Sequence, residues 1–175
     1  MRRAVATALG VLLLTGVPAH GVVTSLKEIR ERGVVIQKWD TSCGAAAMAT
    51  VFTYTFHDPV SERQVASGLL RQTEPLKVRY RGGFSMLDMK RYAEERGYKA
   101  IGFQDLSFND VRYFDGPIVP INFHGYHHYV VIKSVAPDGE VHIADPAFGN
   151  RSMSRKHFEE VWMNGMAFVM LKGRK

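Results

Sequence analysis

Residues 37–52 read "QKWDTSCGAAAMATVF", and the fold turns on how this stretch is taken. From Gly44 onward, "GAAAMATVFTYTF" is apolar almost all round, which predicts a buried central helix. Asp40 or Ser42 is placed to cap that helix, and Cys43 then falls in its first turn. Cys43 is the only cysteine of the 175-residue chain, so an intramolecular disulfide is excluded. Two readings remain. A free cysteine is often an inert, small core residue. At a helix's leading edge, however, free backbone N–H groups and the positive end of the dipole favour an anion, and the thiolate is the nucleophilic form of sulfur. Gly44, next in line, is expected to leave room for a substrate carbonyl.

Upstream, Arg2 and Arg3 precede the apolar run "AVATALGVLLLTGV" and then "PAHG". A basic start, a short apolar middle and small residues after it have the layout of a secretory signal. Cleavage after Ala19 is the first expectation and after Gly21 the second. The run is short for a membrane span of about 20 residues, and no cysteine follows it to carry a lipid. The expected organisation is therefore a signal over residues 1–19 and a single domain over residues 22–175, exported to the periplasm or beyond, with the membrane touched only through an uncleaved signal. At 46% hydrophobic and 23% charged residues, the composition is that of an ordinary globular domain. The net charge of +6 is scattered, without a basic stripe and interleaved stacking aromatics, so a nucleic-acid partner is not expected. The expected state is a monomer.

The remaining elements follow in order. "SLKEIRERG" reads as a short helix closed by Gly33, and "VVIQ" as a brief extended run. Ser61 with Gln64 is a capping box, and Ser85 with Asp88 and Ser107 with Asp110 are weaker versions of it, so three helices open there. Gly82-Gly83, in "RYRGGFSM", reads as a turn ahead of Ser85, and Gly97 closes the helix that Ser85 opens. "PIVPINF", "YHHYVVIKSV", "EVHIAD" and "MAFVML" read as strands, with "APDGE" as a hairpin turn and "YKAIGF" as an edge strand. "SRKHFEEVW" supplies a last helix. Helices first and then a run of adjacent strands predict an α+β fold, the central helix packed on an antiparallel sheet.

A thiol nucleophile needs a base, and "HGYHHYVVI" is the richest of the places where the seven histidines fall. On a strand, His127 and His128 point to opposite faces, and both faces look buriable, so alternation does not choose between them. Across the expected hairpin, Asp145 of "IADPAFGN" comes level with residues 130–132, placed to orient an imidazole. Asp145-Pro146 is also a common turn starter.

Together, "QKWDTSCGAAAM", "HHYVVI" and "ADPAFGN" resemble the double-glycine leader peptidases, the bacteriocin-processing cysteine peptidases of the papain-like clan. The likeness extends over nearly all of the chain past Gly33 and is strongest to exported, stand-alone members, some of which accompany functional-amyloid secretion systems. It implies a papain-like fold, and cleavage after a Gly-Gly pair at the end of a leader. It also implies a role for each matching residue: Gln37 as oxyanion-hole donor, Cys43 as nucleophile, His128 rather than His127 as general base, and Asp145 as the acid that orients it. The implied partners are a peptide or protein substrate with small residues at the cleaved bond, and secretion machinery.

Three rivals stand beside this reading. His124, His127 and His128 with Cys43 or Asp145 are ligand types that suit zinc, but adjacent histidines diverge on a strand and no paired Cys/His spacing appears, so no metal or other cofactor is expected. A non-catalytic module that grips leader peptides has no need of the full set of four residues. Amide hydrolysis or acyl transfer to another amine uses the same thiol and imidazole, and the fold does not decide among substrates.

Overall fold

The computed structural model describes residues 23–173; the expected signal over residues 1–19 lies outside them. In chain order the elements are α1 (Leu26–Glu31), α2 (Cys43–Thr50), a π-helical turn (Val51–Thr55), α3 (Glu62–Leu70), α4 (Pro75–Arg81), α5 (Met86–Glu95), β1 (Tyr98–Phe103), α6 (Phe108–Val111), β2 (Ile118–Phe123), β3 (Tyr126–Val135), β4 (Val141–Asp145), β5 (Gly149–Met153), α7 (Arg155–Val161) and β6 (Ala167–Lys172). The strands form one sheet in the order β1-β6-β2-β3-β4-β5, antiparallel throughout. This is the α+β architecture that the run of helices followed by strands implies.

Every residue of α2 is buried, as its all-round apolar sequence requires. It lies across one face of the sheet, where Met48 and the following Phe52 share a core with Val131, Ala144 and Phe168. The opposite face carries a second core, in which Val119, Ile121, Val130 and Ile143 meet Phe158 of α7. Alternate residues of β3 therefore enter different cores, so both faces of the strand had to be apolar. Full burial of a side chain such as Phe52 or Phe158 stabilises by roughly 1.5–3 kcal/mol.

All three Ser-opened helices carry reciprocal capping boxes, and Ser25 with Glu28 makes a fourth at α1. The central helix departs from expectation. Ser42 occupies its N-cap position but makes no cap hydrogen bond, and Asp40 is exposed. The Ser42 hydroxyl is instead turned to the Trp39 carbonyl and the Glu62 carboxylate. "VVIQ" joins no strand: Val35 N–H donates to Thr50 Oγ1 and Gln37 N–H to the Pro146 carbonyl, so the segment straps α2 to the loop after β4. A side chain at Gly44 would meet Met89 and Tyr129 at 3.4 Å, an ordinary packing contact.

Two elements are additional to those read from the sequence. One is α4, with Pro75 in its first turn and left-handed Gly82 (φ +75°) at its C-cap. The other is β5, an edge strand of mixed burial. Strands β2 and β6 share a single pairing, Ile118 with Phe168. Past it they part, and residues 162–166 cross the gap, Met163 N–H donating to the Pro120 carbonyl at 3.0 Å.

Candidate active site

A cleft of about 470 Å³ opens where those strands separate. Gly82, Gly83 and Phe84 wall one side and Pro120, Met163 and Met166 the other, and Cys43 and His128 are both in its lining. Cys43 starts α2 and is only 6% exposed. The Gly82-Gly83 pair is the turn it was expected to be, ending α4 before the Ser85 cap, and it brings backbone rather than side chains to the mouth of the site.

His127 and His128 both line the cleft, His128 buried and His127 exposed. Val131 pairs with Ala144 across the β3–β4 ladder, so Asp145 falls level with residue 130, and His128 Nε2 meets Asp145 Oδ1 at 2.8 Å. Asp145 also does what Asp-Pro commonly does: its Oδ1 accepts from the N–H groups of Ala147 (2.8 Å) and Phe148 (3.2 Å), forming a turn. Its Oδ2 accepts from Arg151 Nη1 at 3.1 Å. Burial, the largest influence on the fully buried carboxyl, works against its charge, yet the bonds from His128, Ala147 and Arg151 hold it below the usual carboxylate range.

The same contest decides His128. Burial disfavours the imidazolium most, but hydrogen bonding with Asp145, the neighbouring Cys43 and the negative charge of Asp145 raise its pKa to about 9. With Nε2 committed to Asp145, Nδ1 is the nitrogen left for the sulfur. It has no hydrogen-bond partner of ordinary geometry, so Cys43 lies within interaction range without a formed bond. Gln37 reaches the same neighbourhood through the chain. Its Nε2 donates to the Trp39 carbonyl at 3.1 Å, the carbonyl that also accepts from Ser42, immediately before Cys43. One Nε2 N–H remains free of that bond.

Three further residues shape the site. Tyr126 stacks on the His128 ring at 5.7 Å between centroids. Arg151, on β5, holds Asp145 from the side away from the histidine, its guanidinium within 5.4 Å of the Phe123 ring and 5.3 Å of the Phe148 ring. Glu62 is buried behind Ser42. Each acts through tertiary contact, and no local spacing marks them. Among the described residues, no three His, Cys, Asp or Glu side chains gather as a metal site, so the zinc arrangement considered above is not assembled.

A thiol at the head of a buried helix, set against a histidine–aspartate pair on an antiparallel sheet, defines a papain-like cysteine peptidase domain. More particularly, the chain belongs to the Peptidase C39 family, which matches residues 31–174. It is 38% identical over 150 residues to a Pseudomonas aeruginosa protein named "Probable functional amyloid protease FapD", covering 85% of this chain and 65% of that protein. It is 37% identical over 166 residues to the protein of the same name from Pseudomonas fluorescens, covering 93% and 72%. The chain thus spans just under two thirds of the first relative's length. Among solved structures, the fold matches a double glycine motif protease from an AMS/PCAT transporter, in complex with its leader peptide (TM-score 0.65, 23% identity, 80% of this chain and 91% of that one). It also matches the peptidase domain of Streptococcus ComA, a bifunctional ABC transporter of a quorum-sensing pathway (TM-score 0.62, 21% identity, 80% and 98%).

Proposed function

We propose that the protein hydrolyses a peptide bond following a Gly-Gly pair in an exported peptide or protein, with Cys43, His128, Asp145 and Gln37 as its working residues. The observation that carries this is the buried His128–Asp145 pair, 2.8 Å apart, beside the chain's only thiol. In this reading His128 Nδ1 takes the thiol proton and the Cys43 sulfur attacks the carbonyl carbon of the second glycine. The oxygen, negative in the tetrahedral intermediate, is bound by the second Nε2 N–H of Gln37 and the backbone N–H of Cys43. His128 passes its Nδ1 proton to the departing amine as the C–N bond breaks. Water then attacks the thioester, giving its proton to His128 and releasing the new carboxylate and the thiol. Asp145 fixes the ring with Nδ1 toward sulfur and balances the imidazolium. Loss of one oxyanion donor of this kind costs about 3 kcal/mol of barrier.

The cleft supports small residues at the cleaved bond. Cys43 is 6% exposed and the cleft lining includes the Gly82-Gly83 turn, which fits a slender stretch of substrate better than a branched one. The fold is that of a solved protease holding a leader peptide, and the named relatives are amyloid proteases, which fits a substrate handed to secretion machinery. The amino-terminal segment fits export. Among the described residues, no helix is long and apolar enough to cross a membrane.

The test is labelling with thiol-reactive peptide probes ending in Gly-Gly, Ala-Ala or Leu-Leu. Labelling of Cys43 by Gly-Gly at least about tenfold faster than by Leu-Leu, the margin of a 1.4 kcal/mol preference, is the expected result. Equal rates remove the specificity claim and favour broader amidase or acyl-transfer chemistry. No labelling of folded protein by any probe leaves the peptide-binding module as the better reading.

A further inference from the structure

Glu62, the first residue of α3, is 3% exposed, and its Oε2 has no hydrogen-bond partner. Burying a carboxyl group with one oxygen unanswered is costly, so its position calls for a reason. Its other oxygen, Oε1, accepts from Lys38 N–H at 2.8 Å and meets Ser42 Oγ at 2.5 Å. Lys38 follows Gln37 and Ser42 precedes Cys43. One oxygen therefore ties together both ends of the loop between the proposed oxyanion donor and the proposed nucleophile. Inside the loop, the Trp39 carbonyl accepts from Gln37 Nε2 (3.1 Å), Ser42 N–H (3.2 Å) and Ser42 Oγ (2.7 Å). The Ser42 hydroxyl has one proton for two acceptors, Trp39 and Glu62, and so couples the inner and outer halves of the network. It is thereby engaged away from the helix end, and does not cap the first turn of α2.

We propose that Glu62 is a positioning residue: by holding Lys38 N–H and Ser42 Oγ on one oxygen, it sets the loop at which the Gln37 amide and the Cys43 N–H converge on a single oxyanion position. This rests on the reading of Gln37 and Cys43 given above. What matters is an acceptor oxygen at that place, not a charge.

The test compares two reactions of the one thiol. With p-nitrophenyl acetate, the Cys43 sulfur bonds to the acetyl carbon, the carbonyl oxygen passes through an oxyanion, and p-nitrophenolate leaves. With iodoacetamide, sulfur displaces iodide and no oxyanion forms. The ratio of the two rates, corrected for background with Cys43→Ser, isolates oxyanion stabilisation from thiol reactivity. Gln37→Ala is expected to lower the ratio roughly a hundredfold, the loss typical of one oxyanion donor. Glu62→Asp, one methylene too short to span both donors, is expected to lower it roughly tenfold, a 1.4 kcal/mol effect. Glu62→Gln keeps a carbonyl acceptor and is expected to stay within about threefold of the parent, which is under 1 kcal/mol. Melting temperature is read for each variant, and if Glu62→Asp does not fold, Ser42→Ala takes its place with the same expectation. A Gln37→Ala ratio equal to the parent's overturns the oxyanion reading and this inference together. A lowered Gln37→Ala ratio with an unchanged Glu62→Asp ratio overturns the role of Glu62 alone, as does a Glu62→Gln ratio as low as that of Glu62→Asp.

Discussion

At Asp145, four donors meet one buried carboxylate: His128 and the two turn amides on Oδ1, and Arg151 on Oδ2. His128 and Arg151 are thus two positive groups sharing one negative one, and the histidine's affinity for its proton depends on that division. Asp145→Asn removes the negative charge, so the imidazolium loses its main support and its pKa falls from about 9. In the proposed mechanism His128 carries the proton given to the leaving amine, so the alkaline limb of the pH–rate profile is expected to move to lower pH, by on the order of one unit. Arg151→Met has the opposite sign: it keeps an apolar side chain beside Phe123 and Phe148 but leaves His128 as the one positive group on the carboxylate, so the limb is expected to move to higher pH. Profiles of kcat/KM for the three proteins check both, and shifts in the same direction would contradict this division of charge.

Among the elements, the junction of α1 with β5 shows why a polar edge strand forms. Gly149 has φ +80°, and a side chain there would come within 2.5 Å of the Arg30 carbonyl. Asn150 donates to the carbonyls of Ile29 (3.2 Å) and Arg32 (2.8 Å). Gly149→Ala is expected to destabilise by about 2 kcal/mol or more, combining a left-handed backbone penalty with displacement of α1; thermal unfolding measures it, and a change below about 0.5 kcal/mol would show that the junction yields freely. Ser61→Ala, which breaks the capping box of α3, is expected to cost about 1 kcal/mol by the same measurement. The caps were legible because Ser-x-x-Gln and Ser-x-x-Asp act over three residues. The strand "GNRSM" was not, because partners far along the chain hold it in place. Helix α4 carried its own signals in Pro75 and Gly82, but three of the six residues between them are basic and mark no apolar stripe.

Over the whole molecule, the sheet pairs His128 with Asp145 and separates two cores, and α2 brings Cys43 to the cleft that His128 also lines. Cys43 and its helix stood out because an isolated thiol ahead of an all-apolar run is unusual chemistry in a simple pattern. The choice of His128 over His127 needed the resemblance, since both faces of β3 enter apolar cores and alternation carries no preference. Glu62, Tyr126 and Arg151 were illegible because what distinguishes them is which distant group they face. The fold does not depend on the thiol's chemistry, so Cys43→Ala is expected to unfold within about 1–2 kcal/mol of the parent, the cost of trimming one small buried group.

The most direct measurement follows one turnover of a Gly-Gly peptide by mass spectrometry, in the parent protein and in folded Cys43→Ala. The account predicts a transient acyl group, thioester-linked to Cys43 in the parent, and no cleavage at all in the variant. Cleavage that persists without the sulfur, or an acyl group carried on any other residue, would contradict it.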